Sequence, residues 1–272
     1  MFTTTPTALL VVLSILAGPV LAVSTDFVPD GEMADSLFLS SSALSVTNVL
    51  VYWDPVKSDG TEKNNIINIL QDSGCIVTDT TTIDPAILEQ ELIGKDSFIV
   101  AELIDDGMAN DTDIEIISER FTAFAPVLNS FLSENRSVIV TEGDASIRPG
   151  IEVVNTLGWT SITGNTAAIT PVSLTLDMPS ERMLEGISSL STDKGWMGFS
   201  SSDPSLNQVA GYGNDMVLAG KFVNGGYFGI IGFDYFLYNQ DMALVLCNSI
   251  TPEPSTLLLF GLGGLILRSR KL

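Results

Sequence analysis

The chain has 272 residues, of which 45% are hydrophobic, and it carries a formal net charge of −21. This content is sufficient for a folded core, and the negative charge argues against nucleic acid as a partner, because phosphate binding needs clustered Lys and Arg. The sequence contains no histidine. Ser-His-Asp triads, Cys-His dyads and zinc sites with histidine ligands are therefore excluded.

The N-terminal segment 1–22 is typical of a signal peptide. Residues 8–22 are apolar and end in Val20-Leu21-Ala22, which offers small residues where a signal peptidase needs them, so we expect cleavage after Ala22. Residues 1–7 contain no Lys or Arg, which departs from the usual pattern and leaves an uncleaved N-terminal anchor as the alternative. The polar residues 23–47 then form a leader segment.

From residue 48 onward, apolar runs of strand length alternate with helical patterns. The predicted strands are 48–53, 75–78, 97–103 and 137–141. The predicted helices are 62–72, 84–94, 114–132 and 147–157, the third of them broken or kinked at Pro126. Four alternations of this kind predict a parallel sheet that is covered by helices on both faces.

The second half of the domain departs from this alternation. A region of about 160–205 is rich in Ser, Thr and Gly and predicts a small insertion, with a strand at 172–176 and a short helix at 181–185. The runs 216–223 and 227–233, separated by Asn224-Gly225-Gly226, predict a β-hairpin. A last helix reaches Ile250 after an Asn239 cap. We therefore predict one three-layer, mostly parallel α/β domain over 48–250.

The last 22 residues combine three features of a membrane-directed signal. Pro252, Glu253, Pro254 and Ser255 precede an apolar run over 257–267, and three cations, Arg268, Arg270 and Lys271, follow it. An eleven-residue helix spans only about 16 Å, against roughly 30 Å of hydrocarbon, so we expect transient membrane association and transient inner-membrane anchoring.

In residue order and spacing, segment 251–272 resembles the PEP-CTERM sorting signal of exported bacterial proteins. The resemblance implies recognition by an exosortase-type enzyme after a signal peptidase has acted on the N-terminus. It also implies export to the periplasm, the outer envelope or the cell surface, with the three terminal cations on the cytoplasmic side.

The domain itself resembles the class I glutamine amidotransferase-like superfamily and its ThuA-like relatives, which implies a flavodoxin-like sheet. The resemblance rests on SFLSENRSVIVTEGD at 130–144 and GKFVNGGYFGIIGFDYFLYNQDMALVLCNSI at 220–250. Catalytic members have a Cys on the turn after the fourth strand and a His after a late strand. This chain has neither at those places, so the amidotransferase activity does not carry over.

Ligands of open parallel sheets collect at the carboxyl ends of the strands. The candidate pocket residues at these ends are Asp54, Glu102, Glu142, Asp144, Asp234 and Tyr235. Converging carboxylates would suit Ca²⁺ or Mg²⁺ or acid-base chemistry, whereas solvated loop side chains are the simpler explanation. Tyr235 would line a sugar or peptide site, or pack in the core.

Two further sets of residues leave alternatives open. Asp105, Asp106, Asp111 and Asp113 form an acidic loop that either holds a cation or is simply solvated, and the absence of the EF-hand ligand spacing favours the solvated loop. Cys75 and Cys247 are the only cysteines, and they either pair as a disulfide or stay as buried thiols.

The sequence supports two hypotheses of function. The first is an exported envelope or surface protein whose α/β domain has a non-catalytic binding or structural role and no cofactor. The second is a carboxylate- or divalent-metal-dependent hydrolase that acts on envelope polysaccharide.

Overall fold

A computed structural model describes residues 46–55, 57–58, 60–101, 103–104, 111–142, 148–192 and 195–250. The predicted signal peptide, nearly all of the predicted leader and the sorting segment lie outside these ranges. The strands are β1 Asn48–Tyr52, β2 Ile76–Thr80, β3 Ser97–Val100, β4 Ser137–Thr141, β5 Ile162–Ala168, β6 Ser173–Leu176, β7 Leu190–Ser191, β8 Trp196–Ser201, β9 Asn207–Tyr212, β10 Asp215–Val223 and β11 Gly226–Ile231. The helices are α1 Thr61–Asp72, α2 Pro85–Glu91, α3 Asp111–Ser133, α4 Pro149–Leu157 and α5 Gln240–Ile250, with a 3₁₀ turn at Arg182–Leu184.

Five parallel strands form one half of the sheet, in the order β2-β1-β3-β4-β11. This is the doubly wound, flavodoxin-like order, in which the chain reverses direction across the sheet between β1 and β3. The predicted parallel α/β class is confirmed. Each of these strands is a continuous apolar run, except for the polar edge strand β2, because helices cover both faces.

Alternate strand residues point into two separate cores. Leu50 and Tyr52 belong to one buried cluster with residues of α2, α3 and α4, whereas Val49 and Val51 belong to the other with residues of α1 and α5. The period of two along a strand thus places helices on opposite sides of the sheet. The three predicted layers are present.

Helix α3 runs without interruption through Pro126. The sequence predicted a break or a kink there, since proline cannot donate to the carbonyl four residues earlier and its ring crowds that turn. Phe121, Phe124 and Leu128 are fully buried on either side of the proline. Their packing on the sheet offsets the lost hydrogen bond.

The region predicted as an insertion extends the sheet. From β11 the order continues as β10-β9-β6-β7, entirely antiparallel, and β8 pairs with both β5 and β10. β6 and the 3₁₀ turn match the predicted strand and short helix. β5, β7, β8 and β9 were not predicted.

The predicted turns and caps have the expected geometry. Asn224 and Gly225, both with positive φ (53° and 97°), join β10 to β11 in the predicted hairpin. Asp84 Oδ1 accepts from the N–H of Ala86 at 2.8 Å, and Asn239 Oδ1 accepts from that of Met242 at 2.9 Å. Both side chains cap the helices that they were predicted to begin.

Candidate functional site

The most developed polar site lies where β1 ends, beside the point at which the doubly wound sheet reverses. β1 ends at Tyr52, and Asp54 follows two residues later. Its backbone carbonyl accepts from the N–H groups of Lys57 and Ser58, at 3.3 and 3.0 Å. This turn holds the Asp54 side chain against α3.

Arg120 of α3 binds both polar groups at the end of β1. Its Nη1 donates to Tyr52 Oη at 2.6 Å and to Asp54 Oδ2 at 2.9 Å. The guanidinium side chain is 14% exposed and the Asp54 side chain 11%. α3 can place Arg120 there because its buried positions Asp113, Ile117, Phe121 and Phe124 follow the three- and four-residue spacing of one helix face.

A second ion pair stands about two helical turns away from the first along α3. Lys57 Nζ lies 3.0 Å from both carboxylate oxygens of Asp113, in the first turn of α3. The Lys57 side chain is 30% exposed and Asp113 only 9%. The site therefore contains two cations and two carboxylates, and its charges balance.

These residues line a cavity of about 300 Å³. Ile83, Ile116 and Ile117 supply its apolar wall, and the two ion pairs supply its polar wall. Ile83 and Ile116 are about half exposed or more, so the cavity opens to solvent on its apolar side. Such a combination suits a small ligand with an apolar body and a polar group that reaches Arg120 or Lys57.

Burial controls the protonation of the phenol in this site. It raises the pKa of Tyr52 to about 12, although Arg120 opposes the shift. Burial acts to lower the pKa of Arg120, but Tyr52 and Asp54 together raise it above its usual value. At neutral pH the tyrosine is thus a neutral hydrogen-bond partner and the arginine a fixed cation.

The other predicted carboxylates take local structural roles where they are described. Glu142 accepts a hydrogen bond from the N–H of Gly150 and so caps α4, whose own N-cap residue provides no side-chain cap. Asp234 Oδ1 accepts from the N–H of Phe236 at 2.8 Å, two residues further on. Glu102 and Asp144 lie outside the described residues.

No three Asp, Glu or Cys side chains in the described ranges form a group that could hold a metal ion. Of the predicted acidic loop, Asp113 pairs with Lys57, and Asp105, Asp106 and the side chain of Asp111 are not described. The expectation of a Ca²⁺ or Mg²⁺ site thus stays a prediction for the carboxylates outside these ranges.

Tyr235 lies in the core and does not line an open site. Its side chain is fully buried, and its hydroxyl donates to the carbonyl of Met242 at 3.2 Å. Burial raises the pKa of this phenol well above its usual value. The core-packing alternative therefore describes Tyr235, and the chain exposes Phe236, Leu237 and Tyr238 next to it.

Sequence reasoning found Asp54 but missed Tyr52, Lys57 and Arg120. Tyr52 gave a usable signal, because a phenol at the end of an otherwise aliphatic buried strand needs a hydrogen-bond partner. Arg120 gave a weaker signal, because it is a cation next to the apolar stripe of a predicted helix. Nothing in the sequence pairs Lys57 with Asp113.

The fold can be compared with solved structures. The cytoplasmic protein STM1381 of Salmonella typhimurium LT2 matches with a TM-score of 0.53 at 8% sequence identity, over 75% of this chain and 98% of that one. The cytoplasmic protein STM3548 of Salmonella typhimurium matches at 10% identity with a TM-score of 0.45, over 74% and 97% of the two chains. A glutamine amidotransferase of Thermotoga maritima matches at 10% identity with a TM-score of 0.46, over 67% and 74%. At these identities the likeness concerns the fold alone: a doubly wound α/β protein.

The C-terminal segment identifies this chain more specifically than its fold does. Residues 251–271 match the model of the PEP-CTERM protein-sorting motif, which confirms the predicted sorting segment. No curated protein matches the sequence. Within the described ranges, none of the helices combines the length and the hydropathy that crossing a bilayer requires.

Proposed function

We propose that this chain is an exported protein of the bacterial envelope or surface, and that its α/β domain is a non-catalytic binding module. The PEP-CTERM motif at 251–271 is the observation that carries the export part of the proposal, and the cavity at the end of β1 supports the binding part. The N-terminal segment 1–22 supports it as the signal that starts export. Signal peptidase and an exosortase-type enzyme are the processing partners, and the apolar run of the tail resides in the inner membrane only until processing.

The absence of amidotransferase chemistry is supported by the residues at the expected catalytic places. The chain has no histidine to activate a nucleophile. Glu142 follows β4, where the nucleophile turn of the superfamily begins, and it caps α4. The charge-balanced cavity at the end of β1 suits binding, with Arg120 and Lys57 as the polar anchors and the isoleucines as the apolar wall. The terminal units of envelope polysaccharides are among its candidate ligands.

Export is tested by changing the sorting motif. The full chain and a variant with Pro252, Glu253 and Pro254 replaced by alanine are produced in a host that has an exosortase. We expect the unchanged protein in the outer envelope or medium with both ends removed, and the variant unprocessed in the inner-membrane fraction. Mass spectrometry gives the two termini. Identical distribution and identical termini of both proteins would contradict the proposal.

Binding at the cavity is tested by filling it. Ile116 lines the cavity and is half exposed, so Ile116→Trp blocks the space at little cost in stability. Ile93 is more exposed and lies outside the lining, which makes Ile93→Trp the matched control. Envelope oligosaccharides and small organic anions are screened by thermal shift. We expect a ligand that stabilises the unchanged protein and Ile93→Trp but leaves the melting temperature of Ile116→Trp unaltered. Equal shifts in all three proteins would place binding elsewhere.

A further inference from the structure

The two cysteines of the chain lie on neighbouring elements of one core. Cys75 lies three residues after the end of α1, where Gly74 with φ +90° turns the chain and the Cys75 N–H donates to the carbonyl of Leu70 at 3.0 Å. Cys247 belongs to the second half of α5. Both side chains are half-buried, and both pack against the cluster of apolar residues that α1 and α5 share.

One residue, Ser73, links the two cysteines. Its Oγ lies 3.6 Å from Cys75 Sγ, and Ser73 and Cys75 are both among the groups that act on the Cys247 thiol. The two cysteines are therefore neighbours at the end of α1. A disulfide between them requires both side chains to take rotamers that face each other and the small Ser73 hydroxyl to move aside.

We propose that Cys75 and Cys247 form a disulfide bond when the chain reaches an oxidising compartment outside the cytoplasm, which ties α5 to the end of α1. The location of this reaction rests on the proposed export, whereas the capacity to form the bond rests on the geometry alone. Disulfides persist in such compartments and are reduced in the cytoplasm.

The oxidation needs an external disulfide as the electron acceptor, supplied by oxidised glutathione or by a disulfide oxidoreductase of the compartment. One thiolate attacks that disulfide, forms a mixed disulfide and releases one thiol. The second cysteine then attacks the mixed disulfide and releases the other thiol. Two S–H bonds are lost, one S–S bond forms, and two protons and two electrons pass to the acceptor.

One other role of the pair fits less well. A structural metal site needs about four ligands, and the described residues offer no third Cys, Asp or Glu beside these two. Burial raises the pKa of both thiols, so the thiolate fraction is small at neutral pH and the oxidation should accelerate as the pH rises.

The bond is tested on the full chain, purified in reductant and then incubated in a glutathione buffer rich in the oxidised form. Remaining thiols are alkylated, and the protein is digested with trypsin without reduction. Cleavage at the lysines and arginines gives one peptide, 64–95, with Cys75 and another, from Phe222 to Arg268 or to the processed end, with Cys247. We expect these two peptides to be joined, and the joined species to disappear after reduction.

Cys75→Ser and Cys247→Ser are the control variants, each with one thiol left to react. The oxidised unchanged protein should melt about 5 to 15 °C higher than its reduced form, with no such difference in either variant. Separate alkylation or separate glutathionylation of the two cysteines in the unchanged protein overturns the proposal.

The same digest of protein recovered from the envelope fraction separates this proposal from the proposed export. Joined peptides there support both. Envelope protein with two alkylated thiols overturns the disulfide and leaves export intact. Retention of the chain in the cytoplasm overturns export, and the result in the glutathione buffer then decides the disulfide.

Discussion

Removal of Arg120 should destabilise the protein mainly through the carboxylate that it leaves behind. Arg120→Met keeps most of the aliphatic stem but removes the hydrogen bonds to Tyr52 and Asp54. The two charged side chains are 14% and 11% exposed, so solvent screens the pair only weakly. Loss of one partner of a buried pair costs about 3–5 kcal/mol, and the remaining exposure puts this variant at the lower end, about 3 kcal/mol.

A double-mutant cycle isolates the contribution of the pair. Asp54→Asn removes the carboxylate charge, and the double variant has no uncompensated charge at the site. We expect the double variant to be more stable than the sum of the single effects predicts, with a coupling free energy of about 2 kcal/mol. The measurement is urea unfolding at pH 7 with unchanged m-values.

The exposed pair Arg136–Glu134 provides the control. Its nitrogen and oxygen are 3.0 Å apart, but the Glu134 side chain is 58% exposed. Arg136→Met should therefore cost less than about 1 kcal/mol. Equal effects of the two substitutions, or additive effects in the Arg120–Asp54 cycle, would refute the claim that burial gives the inner pair its importance.

Three further substitutions test other parts of the structure. The unchanged protein should lose about 2–3 kcal/mol of stability between pH 10 and pH 12 through Tyr52, because folding raises the pKa of this phenol from 10 to about 12. Tyr52→Phe should abolish this part of the loss, and unfolding curves across the pH range measure the difference. Gly226→Ala should cost about 2–3 kcal/mol in urea unfolding, since the added methyl would meet the backbone carbonyls of Leu132, in the last turn of α3, and of Arg136, just before β4. Glu142→Ala should cost about 2 kcal/mol by removing the acceptor for the Gly150 N–H, and amide hydrogen exchange should increase first at the start of α4.

Each of these three has its own check. A Tyr52→Phe protein with the same alkaline slope as the unchanged chain would show that this phenol does not control the transition. Gly213→Ala adds a methyl at positive φ in open space and should cost only about 1 kcal/mol, so an equal cost at Gly226 would exclude the steric reason. Glu142→Gln retains an acceptor and should lose less than half of what Glu142→Ala loses.

The first half of the fold was predictable because its signals are local. Asp84 and Pro85 define a helix start by themselves, and the buried strand Ser137–Thr141 has three consecutive β-branched apolar residues, Val-Ile-Val, at its centre. The sequence could not show β5, because Ile162–Ala168 is half-exposed at an irregular antiparallel pairing and has neither a long apolar run nor an alternation. Its state depends on β8, whose paired residues are 28 to 39 positions away in sequence.

Only the part of the site that follows from the order of the strands could be predicted from the sequence. Asp54 follows an apolar strand and therefore had to lie at the carboxyl edge of a parallel sheet. Its partner Arg120 is 66 residues away, and Lys57 lies 56 residues from Asp113. Pairings between residues this far apart depend on how α3 packs across the sheet. The sequence near either residue gives no sign of that packing.

Helix α5 leaves almost no spacer between the folded domain and the sorting motif. Ile250, its last residue, is 1% exposed, and the motif begins at the next residue. Four extended residues reach at most about 14 Å. If the tail is processed at Pro252-Glu253-Pro254, the enzyme must work within that distance of the surface of a folded domain. The domain would then be held close against the membrane face, and the shape of that surface would become part of what the processing enzyme has to accommodate.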